Sequence, residues 1–319
     1  MAMQKYSDLV EREFGISVID THYYRPNLAS SHLISHENSA VFVDVGATPA
    51  LPRLLAALTQ KSLAPEDVTY VILTHIHLDH AGCAGALMKA CPNARLVVHK
   101  SGAKHMINPT TLIDATISIY GQEAFDHLYQ EIVPVPEDRV TVPEDGEIID
   151  WRGRPLQFID TPGHARHHFC IWDADSKGVF TGDTLGIAYP ELQADPENPF
   201  QIPTTSPVGF EPDPLIDSIE RLCNLKPDYF YLTHYGPVKV SETSVAALKE
   251  MIEVHETIGL EAAGNHELLK EKLLELYYQS LEKNCPGFCD KARLESAMSG
   301  DLELNAAGVE VWLKRKHKS

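Results

Sequence analysis

The sequence is short of positive charge: 27 Lys and Arg residues stand against 45 Asp and Glu, for a formal net charge of −18. So acidic a chain repels phosphate backbones, which argues against a nucleic-acid partner. Its one basic cluster, Lys314-Arg315-Lys316-His317-Lys318, reads as a solvated tail. Long hydrophobic runs are missing too. None reaches the roughly 18 residues a bilayer requires, so no membrane span is expected. The first residues carry Lys5, Asp8, Glu11, Arg12 and Glu13 and lack an apolar core of signal-peptide length, so a cytoplasmic protein is expected. Cysteine is sparse at six in 319 residues, which points to free thiols rather than a disulfide framework. Cys285-Pro-Gly-Phe-Cys289 matches no strong metal or redox spacing and reads as a loop between helices. There is no internal repeat and no low-complexity segment.

What is present is an ordinary globular balance, 44% hydrophobic and 23% charged. Short β-rich runs alternate with helical patterns. Val41–Val45, Val68–Leu73, Ala94–His99, Leu156–Asp160, Phe169–Trp172, Val179–Thr181 and Asp228–Leu232 read as strands. Pro49–Gln60, about His80–Ala90 and Asp213–Asn224 read as helices. After about residue 240 the pattern changes: Leu248, Met251, Ile252, His255 and Ile258 recur at helical spacing, as do Leu269, Leu273, Leu276 and Leu281. Residues 1–240 are therefore read as the main domain and 241–319 as a helical lobe. Val309, Val311, Trp312 and Leu313 predict that this lobe docks rather than trails, and covering the pocket or forming a homodimer would bury its stripes. The stretch Gly186–Pro214 is long and aperiodic, as expected of a segment that lids a site or packs beside it.

The segment that carries chemistry is Thr74-His75-Ile76-His77-Leu78-Asp79-His80-Ala81-Gly82. It follows a buried-looking strand and opens a helix. Imidazole and carboxylate suit a borderline cation such as Zn²⁺. His75 and His77 can reach one ion from the turn, and Asp79 and His80 a second position beside it. Two ions need more donors than one loop gives. His164 in Pro162-Gly163-His164, Asp183 in Gly182-Asp183-Thr184 and His234 in Thr233-His234-Tyr235 each follow an apolar run and sit at a turn with glycine. Loops at one edge of a sheet converge, and sites are built there.

From about Gly15 to Pro237 these motifs, in this order, resemble the metallo-β-lactamase superfamily. The resemblance implies an α/β fold, an αββα sandwich of two mixed sheets with helices outside, here with a C-terminal helical extension. It also implies roles: His75, His77 and His164 hold a first metal, Asp79, His80 and His234 a second, and Asp183 bridges both. Two divalent ions are expected, zinc first, with iron or manganese as alternatives. Cations so close repel unless anions lie between them, and Asp183 and a hydroxide can supply those anions. The hydroxide would be the nucleophile, and Asp79 could hold its proton. His168 is a candidate for orienting a ligand, Arg166 for the pocket rim, and Tyr189 and Tyr235 for donation to an oxyanion. Asp44 is either structural or a support for the site.

The expected reaction is hydrolysis of an ester, lactone or thioester on a small molecule. A phosphodiesterase and an iron-dependent redox member of the same superfamily are the alternatives. Asp183 argues against a true β-lactamase. The glyoxalase II pattern shares the donors, but Gly182-Asp183-Thr184 is not followed by that family's Gly-Cys-Gly-Arg, and no basic grip for glutathione stands out in the last lobe. Tyr189, Leu192, Phe200, Ile202 and Phe210 could line an acyl pocket or pack on their own core.

Overall fold

The computed structural model describes residues 9–205, 207 and 209–316. Lys5, Asp8 and the His317-Lys318 end of the basic cluster lie outside the described residues.

Seven strands form the first sheet in simple chain order: β1 (Leu9–Glu11), β2 (Ile16–Asp20), β3 (Ser30–His36), β4 (Ser39–Val43), β5 (Val68–Ile72), β6 (Arg95–Val97) and β7 (Val140–Thr141). The first four pair antiparallel and the rest parallel. Six strands form the second: β8 (Ile148–Trp151), β9 (Arg154–Asp160), β10 (Phe169–Asp173), β11 (Gly178–Gly182), β12 (Tyr229–Leu232) and β13 (Gly236–Lys239). Only its β11–β12 pair is parallel. Both sheets are mixed.

The two-residue side-chain period of a strand explains the layering. In β4, Val41 and Val43 face the gap between the sheets, while Ala40 and Phe42 face the helices outside. Across the gap, β10 sends Phe169 and Ile171 inward and Cys170 outward. The first sheet is covered by α1 (Leu51–Gln60), α2 (Leu78–Ala81) and α3 (Ala84–Ala90). Helices α4 (Lys100–Ile107), α5 (Thr110–Tyr120) and α6 (Gln122–Leu128) follow β6. The second sheet is covered by α7 (Pro212–Cys223), α8 (Glu242–Ala262), α9 (His266–Asn284), α10 (Lys291–Ala297) and α11 (Ser299–Lys316). The result is the αββα sandwich with added C-terminal helices.

Two expectations change on inspection. The single helix expected over His80–Ala90 is two, because the Cys83 N–H donates to the Gly46 carbonyl at 2.9 Å instead of continuing the helical ladder. The segment 100–128, for which no element was assigned from the sequence, holds three helices. The stretch from Gly186 is folded against the body: Ile187 bridges Ile202, and Leu192, Phe200, Ile202 and Phe210 are buried in the same core as Leu248, Leu273, Val309 and Leu313. That core runs without a break from the second sheet into α11. All six cysteines are free. No helix among the described residues is long and apolar enough to cross a membrane.

Candidate metal centre

The histidine loop leaves β5 at the edge of the first sheet. His164 follows β9, Asp183 follows β11, and His234 follows β12. Gly182, just before Asp183, takes a left-handed φ of +49°, and a Cβ there would stand 2.4 Å from Thr74 Oγ1 and 2.6 Å from His168 Nε2. Only glycine lets the second sheet close this tightly on the first.

All seven sequence-singled donors converge. They form three sets whose ligating atoms lie within 4.8 Å of one another: His75, His77 and His164; His75, His80 and Asp183; Asp79, His80 and His234. His77 Nδ1 lies 2.9 Å from His75 Nε2 and 3.1 Å from His164 Nε2. His234 Nε2 lies 3.3 Å from His80 Nε2 and 3.2 Å from Asp79 Oδ2. The carboxylate of Asp183 divides itself: Oδ1 stands 3.2 Å from His80 Nε2 and Oδ2 stands 3.4 Å from His164 Nε2.

The outer nitrogens decide what the inner ones can do. His80 Nδ1 donates to Asp44 Oδ2 at 2.9 Å, and His234 Nδ1 donates to the Leu28 carbonyl at 2.7 Å. His164 Nδ1 is satisfied by Thr204, its hydroxyl oxygen at 3.1 Å. His75 Nδ1 faces Thr74 Oγ1 at 3.2 Å, and that hydroxyl in turn donates to Asp44. A neutral imidazole has one N–H, so in these four rings the inward Nε2 is a bare lone pair. Lone pairs 3 Å apart repel unless positive charge sits between them. Asp183 Oδ1 is likewise buried without a hydrogen-bond partner. The donor set therefore fits a pair of divalent cations.

The electrostatics agree. Burial holds His75 and His77 well below the usual imidazole range. Burial acts on His80 the same way, but the carboxylates of Asp183, Asp79 and Asp44 outweigh it and draw His80 well above that range. Asp79 and Asp183 are raised by burial yet held down overall, His80 first and His234 among the causes. Without metal, protons on the histidines supply the missing positive charge.

Asp44, which the sequence left open, supports the site. Fully buried, it accepts from the Thr74 N–H at 2.8 Å, the Thr74 hydroxyl, His80 Nδ1 and the Thr233 hydroxyl at 2.6 Å. His168 also supports it: Nε2 accepts from the Asp183 N–H at 3.3 Å while Nδ1 faces Thr161 Oγ1 at 2.8 Å. Arg166 is exposed, pairs with Glu211 at 3.1 Å and is not among the residues lining the cavity over the centre. Tyr189 does line it, but its hydroxyl donates to Asp301 at 3.0 Å. Tyr235 is not among the lining residues.

That cavity has a volume of about 170 Å³. Its floor is His77, Asp79, His164, Asp183 and His234. Of its walls, the sequence pointed to Tyr189 and to the C-terminal lobe as a cover, but not to the individual helical residues. Helix α5 supplies Leu112, Thr116, Ile119 and Tyr120, and α11 supplies Asp301, Leu304 and Asn305. Asn305 is buried and ties α11 to the loop beside His164. Its side chain donates to the Pro203 carbonyl at 2.9 Å and to Tyr277 Oη at 3.0 Å, and accepts from the Thr205 N–H at 2.8 Å. Gly308, one turn on, lets the helix approach, since a Cβ there would stand 2.4 Å from Thr205 Oγ1. Burial pushes the Asp301 carboxyl up to about 6.

Comparison with known proteins gives the context for this geometry. The family model described as "Metallo-beta-lactamase superfamily" matches residues 24–234. The metallo-beta-lactamase fold-containing protein ST1585 of Sulfurisphaera tokodaii is 27% identical over 242 residues, covering 73% of this chain and 84% of its own. The hydroxyacylglutathione hydrolase of Aeromonas salmonicida is 32% identical over 154 residues, 48% of this chain and 45% of that enzyme. Among solved structures, the metallo-beta-lactamase family protein TTHA1429 of Thermus thermophilus superposes with a TM-score of 0.62 at 20% identity, over 90% of this chain and 93% of its own, and so shares the fold.

Proposed function

The chain belongs to the metallo-beta-lactamase superfamily, and we propose that within it this protein is a dinuclear metal-dependent hydrolase of ester-type bonds, taking a small-molecule ester, lactone or thioester. Members of the superfamily bind divalent metal ions, often two. The observation that carries the reading is the set of inward imidazole lone pairs, 2.9–3.3 Å apart, facing one divided carboxylate. His75 Nε2, His77 Nδ1 and His164 Nε2 would hold the first ion. His80 Nε2, His234 Nε2 and Asp79 would hold the second, with Asp183 shared. Zinc is our first choice for this nitrogen and oxygen set.

When bound, such a pair supplies Lewis acidity toward the scissile carbonyl and activates water at neutral pH. The chain's own groups do the rest. Asp79 lines the cavity and also reaches His234, so its carboxylate can take the proton that the attacking water gives up. Asp44 and the Leu28 carbonyl keep the protons of His80 and His234 on their outer nitrogens. Leu28, Leu112, Ile187 and Leu304 give an apolar wall for an acyl group and exclude water around the reacting bond. The Aeromonas relative acts, by its name, on hydroxyacylglutathione, a thioester, which keeps thioesters in the class. We treat residues 1–240 as the catalytic body and 241–319 as a helical cover that completes the cavity.

The test is elemental analysis of purified protein with a panel of lactones, thioesters, aryl esters and phosphodiesters. Two equivalents of metal and turnover of an ester-type substrate are expected, lost in His77→Ala and Asp183→Ala with the fold retained by circular dichroism. A protein that takes up neither zinc, iron nor manganese, or that cleaves only phosphodiesters, overturns the reading.

A further inference from the structure

The part of the cavity lining beside the donor cluster has a chemistry of its own. Four tyrosines line it, Tyr23, Tyr120, Tyr129 and Tyr189, together with the carboxylate of Asp301. The ring of Tyr129 lies 5.8 Å from that of Tyr23 and 6.2 Å from that of Tyr120. The hydroxyls of Tyr23 and Tyr129 are paired at 2.6 Å, which fixes both rings. Tyr189 directs its hydroxyl at both oxygens of Asp301, 3.0 and 3.2 Å away.

Asp79 and Asp183 belong to the donor cluster, which leaves Asp301 as the one other carboxylate among the described lining residues. No Lys or Arg is among them. The nearby cation, Arg25, stands 4.7 Å over the Tyr189 ring but is paired with Glu191 at 2.9 Å. A carboxylate offers about four acceptor positions, and among the described residues Tyr189 is the only side chain that donates to it. A half-satisfied anion ringed by π-systems is the environment that draws an organic cation: the rings attract it through their quadrupoles and the carboxylate by charge. An anionic group in the same place would face like charge.

We propose that this part of the cavity receives an ammonium-type nitrogen of the substrate, a primary or quaternary amine joined to the ester-type bond by a short apolar spacer. The assignment of that bond rests on the hydrolase reading above; the cation receptor rests on the tyrosines and Asp301. Leu112 and Leu304 line the same cavity and would flank the spacer, with the scissile carbonyl over Asp79 and Asp183.

The test uses the metal-loaded protein and three thioesters of one shape, with a trimethylammonium, a tert-butyl or a carboxylate terminus. The wild type should favour the cationic thioester over its neutral counterpart by about tenfold in kcat/KM, and the carboxylate should be the worst of the three. Asp301→Asn should bring the cationic-to-neutral ratio to within about threefold. Tyr120→Leu, at a position 38% exposed and so tolerant of change, should lower the same ratio and serves if Asp301→Asn does not fold. A wild-type ratio near one, or a ratio unmoved in the variants that fold, overturns the proposal. If no thioester is hydrolysed, the hydrolase reading is decided by the lactones and aryl esters of the panel. Calorimetric titration with the non-hydrolysable trimethylammonium thioether and its tert-butyl counterpart then decides the receptor: tighter binding of the cation supports it, and equal binding overturns it.

Discussion

The donor floor and the helical wall of the cavity are built on opposite plans. At the metal-donor end, loops from both sheets are buried, and the donors are held from behind: Asp44, Thr74, His168, Thr204 and Thr233 fix them by hydrogen bonds. Over them, part of the cavity wall is helical. Helix α5 buries only Thr116, while Ile119 is 48% exposed, and α11 rests on apolar packing plus polar ties at Asp301, Asn305 and Arg315. Hydrogen bonds are directional and tolerate little displacement, whereas apolar contacts survive many exchanges of size. The contrast implies that the reaction and the choice of substrate can vary in part separately: the first is fixed by directional bonds, the second by wall side chains tied to the first through Asn305 and the 203–205 loop.

Perturbations of the two parts should differ in size. The largest effect belongs to Asp183→Ala, which removes the shared carboxylate; turnover should fall by at least about a thousandfold, and metal content measured by plasma emission should fall with it. Asp44→Asn leaves every donor in place but takes away the acceptor that fixes the His80 tautomer. Metal affinity by competition with a chelating dye should weaken about 10–100-fold, and an unchanged affinity would break the claim that the donor end is held from behind. Asn305→Ala reports on the link between the two. It strands the Thr205 N–H and the Pro203 carbonyl, so denaturant unfolding should show a loss of about 2 kcal/mol. Smallest of all, Ile119→Ala should change the preferred acyl-chain length by no more than about tenfold in kcat/KM, with unfolding free energy within about 0.5 kcal/mol of wild type.

The sequence made these parts unequally legible. The loop from His75 to His80 could be read because its donors are contiguous and their types are chemically specific. His164, Asp183 and His234 stood out as polar residues at glycine turns after apolar runs, although their division between two ions came only with the family resemblance. Asp44 was seen but not resolved, since a lone aspartate after a strand gives no hint that residues 30 and 189 positions away donate to it. Helix α5 was not singled out in the sequence, although Leu112, Ile113 and Ile117 stand at helical spacing and pack, partly buried, against Phe125, Tyr129 and Ile132. Asp301 and Asn305 were not singled out in the sequence. What hid them is that their partners lie in a loop a hundred residues earlier.

Asp44 has one more implication. Its two oxygens collect bonds from Thr74 and His80 on one sheet's loop and from Thr233 at the end of the other sheet. It thus acts as a rivet through both layers, driven at the spot where the ions would lie. A socket riveted in this way is already cut to shape when the chain has folded, so loading an ion is expected to be an act of filling, with little further rearrangement of the backbone.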